Sequence, residues 1–122
     1  MLLVDDDPAI GALVRVFLKD QIRFELTVTT DGEQGIQAFR RSRFDLVLMD
    51  IVMPGRDGYS STRAMRQWEL QHSLPRTPIA ALTASTHSGE IEKMFASGCT
   101  RYLPKPMTKA TLVHAVSQLI GA

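Results

Sequence analysis

The sequence contains little of what several large classes of protein depend on. Among its 122 residues there is a single cysteine, Cys99, which excludes a disulfide within the chain and a zinc site built from several thiolates. No apolar run approaches the roughly 20 residues of a membrane-spanning helix. Neither sign of charge is in excess, because the formal net charge is +1. We therefore expect no membrane insertion and no direct binding to nucleic acid.

The remaining composition is that of one ordinary domain. Hydrophobic residues make up 44% of the chain, enough for a continuous core, and the length suits a single domain over residues 1–122. A lone cysteine fits a reducing cytosol, and only four residues precede Asp5, too few for a signal peptide. The composition thus predicts a single cytoplasmic domain.

Short apolar segments alternate with amphipathic ones five times along the chain. Apolar or β-branched runs predict strands at 1–4, 24–29, 44–49, 79–82 and 100–103. Helices are predicted at 8–19 after the cap Asp7, from Asp31 to about Arg41, at 59–70, at 88–96 before Gly98, and after the cap Thr108. Such alternation indicates a parallel sheet covered by helices on both faces.

Polar side chains follow four of the predicted strands. Asp5 and Asp6 follow the first strand, Asp50 the third, Thr83 the fourth and Lys105 the fifth. Because the carboxyl ends of parallel strands lie at one edge of a sheet, we expect these five groups along one rim.

The chemistry of these groups suits phosphoryl transfer. Carboxylates about 5 Å apart repel each other by roughly 3 kcal/mol at an effective dielectric constant of about 20, and a bound cation relieves that repulsion. Oxygen ligands without histidine or thiolate favour Mg²⁺ or Mn²⁺. Lys105 supplies a positive charge and Thr83 a hydroxyl donor, and a carboxylate of this group is the candidate nucleophile toward a phosphoryl group.

Four motifs, V-D-D, L-V-L-M-D-I-x-M-P-G-x-D-G, A-L-T-A and Y-L-P-K-P, occur in this order along the chain. Together they resemble the receiver (phosphoacceptor) domain of bacterial two-component response regulators, and the resemblance covers essentially the whole chain. It implies a flavodoxin-like (βα)₅ fold, a three-layer sandwich whose parallel five-stranded sheet has the order 2-1-3-4-5.

The resemblance also assigns the metal and phosphoryl chemistry to particular residues. Asp50 corresponds to the phosphorylated aspartate of the family. Asp5 and Asp6 correspond to the acidic pair that holds Mg²⁺ together with Asp50, and the backbone carbonyl of Val52 completes the protein ligands. Lys105 corresponds to the family's lysine, and the bond to the proline that follows it is expected to be cis.

Phosphorylation in this family acts as a switch, and the resemblance implies the parts that carry it. Thr83 corresponds to the switch hydroxyl and Tyr102 to the switch aromatic, which reshape the face formed by helix four, strand five and helix five. The phosphoryl donor is a histidine kinase or a histidine phosphotransfer protein, and an output domain or partner uses the reshaped face. The module is no enzyme beyond assisting its own phosphorylation and dephosphorylation.

The A-L-T-A and M-D-I-x-M-P segments look like those of receivers attached to hybrid sensor histidine kinases. In that case the domain is the cytoplasmic part of a larger membrane-bound sensor kinase.

Other functions compete with this interpretation. An aspartyl-nucleophile phosphatase of the haloacid dehalogenase type needs a second aspartate two residues after the nucleophile, where this chain has Val52. A receiver-like module that works without phosphorylation usually lacks some of the acids or the lysine, and this chain has all of them. Individually, Tyr102 could simply cover a strand edge and Thr83 could bond the backbone at a strand end.

Overall fold

The computed structural model describes residues 1–120 as five strands and five helices that alternate along the chain. The strands are β1 (Leu2–Val4), β2 (Thr27–Thr29), β3 (Val47–Asp50), β4 (Ile79–Thr83) and β5 (Arg101–Pro104). The helices are α1 (Pro8–Leu18), α2 (Gly32–Arg41), α3 (Gly58–Gln71), α4 (Ser88–Ser97) and α5 (Lys109–Ile120). No helix among these residues is long and apolar enough to cross a membrane.

All neighbouring strands are parallel, and the sheet has the order β2-β1-β3-β4-β5. The predicted flavodoxin-like arrangement is therefore confirmed. The register aligns Asp50 of β3 with Leu82 of β4, and Thr83 with Pro104 of β5. The last residues of three strands thus lie side by side at the carboxyl edge of the sheet.

Alternate residues of each strand face opposite sides of the sheet, which gives the domain two cores. One core lies under α2, α3 and α4, and the other lies under α1 and α5. The first is formed by fourteen buried residues, among them Leu2, Val4, Val47, Met49, Ile79, Ala81 and Met94. The second includes Leu3, Leu48, Ala80, Leu82, Leu103, Leu112 and Val116. A sheet covered on both sides explains why its three inner strands, β1, β3 and β4, are buried at every position.

Helix boundaries follow the capping residues, and the ends predicted from sequence are correct to within one residue. Asp7, Asp31 and Thr108 each accept a hydrogen bond from a backbone amide in the first turn, at 2.9, 2.8 and 3.2 Å respectively. Asp57 caps α3 in the same way, at 2.8 Å. Gly98 ends α4 in the left-handed region, with φ of 115°.

Two strands are shorter at their amino ends than the sequence predicts. The strand predicted at 24–29 contains only Thr27–Thr29, because its sole neighbour β1 begins pairing with it at Leu2. Residues 24–26 instead lie beyond the ladder, although the side chains of Phe24 and Leu26 still pack on the second core. A strand needs a partner, and local propensity does not show where that partner begins.

The same constraint shifts the central strand. The prediction at 44–49 is wrong by three residues at its start, because both neighbours of β3 begin level with Val47. At its other end β3 extends to Asp50, so the carboxylate belongs to the last residue of the strand rather than to the loop.

β5 covers Arg101–Pro104 instead of the predicted 100–103, so that a proline ends the strand. The amide of Lys105 donates to the Thr83 carbonyl of β4 at 2.7 Å. Since successive amides of a strand point to opposite sides, the nitrogen of Pro104 faces away from β4. The proline therefore occupies an edge strand without removing a bond from the sheet.

The start of α3 passes unusually close to the end of β3. The amide of Gly58 donates to the Ile51 carbonyl at 3.0 Å. A Cβ atom at Gly58 would lie 2.3 Å from the Asp50 carbonyl oxygen and 2.8 Å from the Cα of Ile51. Only glycine fits this approach, and it holds the loop that follows Asp50 against the strand.

We expect Gly58→Ala to destabilise the domain by about 1–3 kcal/mol, because the added methyl meets backbone rather than a side chain that can move. Urea unfolding followed by circular dichroism measures the change. Gly89→Ala is the matched control, because a Cβ there would meet nothing closer than His87 Nδ1 at 3.5 Å. A Gly58→Ala protein as stable as the control would contradict the proposed close packing.

Candidate functional site

Three carboxylates from two strand ends meet at the carboxyl edge of the sheet. Asp5 and Asp6 follow β1, Asp50 ends β3, and one oxygen of each lies within 4.8 Å of the other two. Asp5 and Asp50 are 1% and 4% exposed, whereas Asp6 is open to solvent. The adjacent strands β1 and β3 are in register, which brings these acids together as the sequence predicts.

Lys105 joins this cluster from the end of β5. Its Nζ lies 3.0 Å from Oδ2 of Asp5 and 3.2 Å from Oδ1 of Asp50. The backbone of Lys105 is held by the bond from its amide to Thr83, and the Lys105–Pro106 peptide is cis, as predicted. One ammonium group thus bridges two buried carboxylates.

The two oxygens of Asp5 have different surroundings. Oδ1 accepts a hydrogen bond from the amide of Asp7 at 2.9 Å, which fixes the carboxylate plane. Oδ2 is fully buried and lies 3.0 Å from the Lys105 ammonium, which it shares with Asp50. One ammonium therefore serves two buried carboxylates, which leaves an excess of negative charge that a cation could neutralise.

The charges in the cluster shift one another's protonation. Burial, followed by the neighbouring charge of Asp5, raises the pKa of Asp50 from 3.8 to about 6, and Lys105 only partly offsets this. Burial also lowers the pKa of Lys105, but the two carboxylates outweigh burial and leave that pKa above its ordinary value. Lys105 therefore stays charged, but its single positive charge does not neutralise the two carboxylates beside it.

The donor set fits a small, hard divalent cation. All three side chains offer carboxylate oxygens, the ligands that Mg²⁺ and Mn²⁺ prefer, and no histidine or thiolate is among them. Opposite ligands of an octahedral Mg²⁺ ion lie about 4.2 Å apart, so oxygens within 4.8 Å of one another are close to that spacing. Asp5, Asp6 and Asp50 could therefore hold such an ion together.

Thr83 lies on the same rim, but its hydroxyl is engaged elsewhere. Its Oγ1 accepts from the amide of Ser85 and donates to the carbonyl of Ser85, both at 3.0 Å. The residue as a whole is buried, with 5% of its surface exposed. To reach a group on Asp50 it would have to leave these two bonds, which close the first turn of the loop after β4.

The two remaining residues predicted for the site lie near it without joining the acid cluster. Val52 follows Asp50 by two residues, and its side chain is 80% exposed. Tyr102 is half-buried in β5, packs on the first core, and meets the ring of Phe95 edge-on with 6.4 Å between ring centroids. Aromatic packing across β5 and α4 agrees with either role considered for Tyr102.

Sequence reasoning missed the contacts that hold the surrounding loops. Tyr59, at the start of α3, donates a hydrogen bond from its hydroxyl to Glu90 at the start of α4. In the loop after β3, Arg56 pairs with Glu33 of α2 at 2.6 Å. These partners are 31 and 23 residues apart, and neither pair has a local sequence signal.

Comparison with known proteins agrees with this geometry. The family model described as "Response regulator receiver domain" matches residues 1–117. Among curated proteins, the chain is 38% identical over 121 residues to the Sensor protein GacS of Pseudomonas syringae pv. syringae. That alignment covers 99% of this chain and 13% of the sensor protein, so the chain spans about an eighth of its relative.

Solved structures are similar over the whole domain. The receiver domain of the Pseudomonas aeruginosa PAO1 sensor histidine kinase PA1611, which has a magnesium ion coordinated in its active-site cleft, is 36% identical with a TM-score of 0.85. The alignment covers 99% of this chain and 96% of that one.

A second similar structure contains a partner protein. A chain in the co-crystal structure of the Saccharomyces cerevisiae histidine phosphotransfer protein Ypd1 with the receiver domain of Ssk1 is 25% identical, with a TM-score of 0.89. The alignment covers 97% of this chain and 86% of that one.

The strand order, the acid cluster with its bridging lysine, and a family match over residues 1–117 lead to one assignment. This chain belongs to the response regulator receiver domain family of two-component phosphorelay signalling.

Proposed function

We propose that Asp50 accepts a phosphoryl group, in a reaction that depends on a divalent cation and uses a phosphohistidine as donor. The observation that carries this proposal is the convergence of Asp5, Asp6, Asp50 and Lys105, which come from the ends of three strands. Such a group of acids with one lysine resembles the centres that transfer phosphoryl groups. The receiver domain extends in this proposal over residues 1–122.

In the transfer step, a carboxylate oxygen of Asp50 attacks phosphorus in line with the bond to the histidine nitrogen. The new oxygen–phosphorus bond forms as the nitrogen–phosphorus bond breaks, and the electron pair of that bond stays with the imidazole. Lys105, 3.2 Å from Asp50, neutralises charge that the incoming phosphoryl oxygens bring. The domain assists only this reaction and the later hydrolysis of its own acyl phosphate.

Asp5, Asp6 and Asp50 are the proposed side-chain ligands of Mg²⁺ or Mn²⁺, with the backbone carbonyl of Val52 as a further ligand. A bound cation supplies positive charge that screens the carboxylates from one another and from the phosphoryl oxygens. The sharing of one ammonium group by Asp5 and Asp50 supports this assignment, because the buried carboxylates then carry more negative charge than Lys105 can neutralise.

Phosphorylation then acts on the face formed by α4, β5 and α5. We infer that the Thr83 hydroxyl leaves Ser85 to donate to a phosphoryl oxygen, and that Tyr102 turns inward in response. A groove of about 820 Å³ lies on this face, lined among others by Phe95, Tyr102 and His114. An output domain or partner protein would bind there, and the response is a shift between two populated states.

The likeness to sensor kinases and to a receiver crystallised with a phosphotransfer protein supports the choice of donor. A histidine kinase or a histidine phosphotransfer protein would dock on the carboxyl edge of the sheet, where Asp6 is exposed beside Asp50. We propose a cytoplasmic location, as a receiver within a larger hybrid sensor kinase or beside one. The near-neutral charge gives no reason to add nucleic acid to these partners.

Acetyl phosphate with Mg²⁺ is expected to add one phosphoryl group to the intact domain, stable in acid and labile in base. Intact-mass spectrometry measures the addition. Asp50→Asn should incorporate none, and omission of divalent cations should abolish incorporation. Asp57→Asn is the matched control, because it neutralises another acid of the same loop while asparagine still caps α3. Phosphate that persists in Asp50→Asn, or multiple turnover on a small phosphate ester, would reject the proposal.

The raised pKa of Asp50 predicts how stability depends on pH without divalent cations. The contribution of Asp50 to stability is fully present below pH 3.8 and is lost as the pH rises through about 6, because ionisation is unfavourable in the folded state. Relative to Asp50→Asn, the wild-type protein should therefore lose up to about 3 kcal/mol over this window. Urea unfolding in the presence of a chelator measures the loss.

Added Mg²⁺ should restore most of the unfolding free energy that the wild-type protein loses. It should change the unfolding free energy of Asp50→Asn little, because the variant lacks one of the proposed ligands. If the unfolding free energies of the two proteins differed by a constant amount from about pH 4 to about pH 8, the pKa of Asp50 would not be raised by burial and the neighbouring charge.

A further inference from the structure

Helix α4 is attached to the domain very differently at its two ends. Its fully buried residues, Met94 and Ser97, both lie in the carboxyl-terminal half, and Cys99 just beyond them is 4% exposed. In the amino-terminal half only Ile91 packs on the core, and it does so partly. The loop that precedes α4 and the first two residues of the helix are exposed, at every position from 84 to 89.

The carboxyl-terminal end is held by an anchor, which we define as Arg66, Glu69, Thr77 and the Gly98 carbonyl. Arg66 donates to the Gly98 carbonyl at 2.9 Å, and to Glu69 and the Thr77 carbonyl at 2.8 Å each. Glu69 in turn accepts from the Thr77 amide at 2.7 Å. Arg66 and Glu69 are 8% and 4% exposed, so three bonds of the anchor are buried and the bond to Gly98 is partly buried.

The amino-terminal end is held by a latch, which we define as the Tyr59 hydroxyl and the Glu90 carboxylate. Tyr59 is 5% exposed and donates to Glu90 in the first turn of α4. One turn later, Lys93 places its Nζ 4.4 Å from the centroid of the same ring, a cation–π contact. Burial and the adjacent Glu90 raise the pKa of Tyr59, so its hydroxyl stays a donor at neutral pH.

The latch lies on a path between the acid cluster and α4. Tyr59 follows Gly58, whose amide donates to the Ile51 carbonyl at 3.0 Å, so its backbone is fixed relative to the end of β3. Glu90 is joined to Thr83 through the exposed segment 84–89, whose first turn is closed by the bonds between Thr83 and Ser85. Along the chain, Glu90 therefore lies between Thr83 and the anchored end of α4.

We propose that the latch holds the amino-terminal end of α4 in the unphosphorylated arrangement, and that α4 swings about its anchored carboxyl-terminal end when the latch opens. This inference rests on the proposed function, because the phosphoryl group on Asp50 is what draws Thr83 away. Tyr59 is a positioning residue here, since its hydroxyl acts through Glu90 and touches no reacting atom.

Backbone hydrogen exchange, resolved by residue, tests the latch in the full chain. Tyr59→Phe removes only the hydroxyl and keeps the ring under Lys93. In the unphosphorylated protein it should speed exchange at residues 89–93 by about tenfold and leave residues 97–101 unchanged. Glu90→Ala should speed exchange at the same residues. Glu90→Gln, whose amide oxygen still accepts a hydrogen bond, should have exchange rates between those of Glu90→Ala and the wild type. Glu92→Ala, an exposed acid of the same helix, is the matched control and should match the wild type.

Hydrogen exchange in the phosphorylated protein distinguishes a latch that opens from a contact that stabilises both states. After acetyl phosphate treatment, confirmed by mass, wild type and Tyr59→Phe should exchange at the same rate at residues 89–93, because the latch is open in both. An undiminished difference in the phosphorylated state, or equal acceleration at both ends of α4, would overturn the proposal. Failure of the wild type to take up phosphate rejects the proposed function, whereas the unphosphorylated comparison still decides whether the two ends of α4 are held independently.

Discussion

The chemistry of this domain depends on three carboxylates that lie close together despite their mutual repulsion. Asp5, Asp6 and Asp50 bring three negative charges to one edge of the sheet, and among residues 1–120 only the Lys105 ammonium pairs with them, at Asp5 and Asp50. Each carboxylate pair is repelled by a few kcal/mol at these distances. The two apolar cores supply the free energy that keeps the strand ends in register despite this, so the site is a local weakness that the rest of the fold sustains.

The alternation of strands and helices and the charged rim could be predicted because their signals are local, whereas the strand order followed from the resemblance to receiver domains. Asp50 ends an apolar run, Lys105 follows the last strand, and parallel strands bring both to one edge. The strand starts at 24 and 44 were wrong because pairing begins only where β1 begins, at Leu2. Where a chain forms ladder bonds depends on its neighbour's length, which local propensity does not contain.

The contacts between loops and helices were out of reach for a different reason. Tyr59 and Glu90, or Arg66 and Gly98, meet only after the sheet has set the distance between α3 and α4. A tyrosine or an arginine on a helix looks the same in sequence whether it faces water or crosses to another element. These pairs also differ in how firmly they hold α4, because most of the Arg66 bonds are buried whereas segment 84–89 is exposed.

The position of Pro104 affects how other proteins can associate with the edge of the sheet. Its nitrogen faces outward from β5, the last strand of the sheet, at a position where another residue would offer a free amide. Sheet edges with free amides invite foreign strands to add on, and a proline interrupts that row of donors. Recognition on this side would then rely on side chains and not on backbone pairing, which would accept almost any extended peptide. One proline ring thus blocks the addition of a foreign strand at this position of the sheet edge.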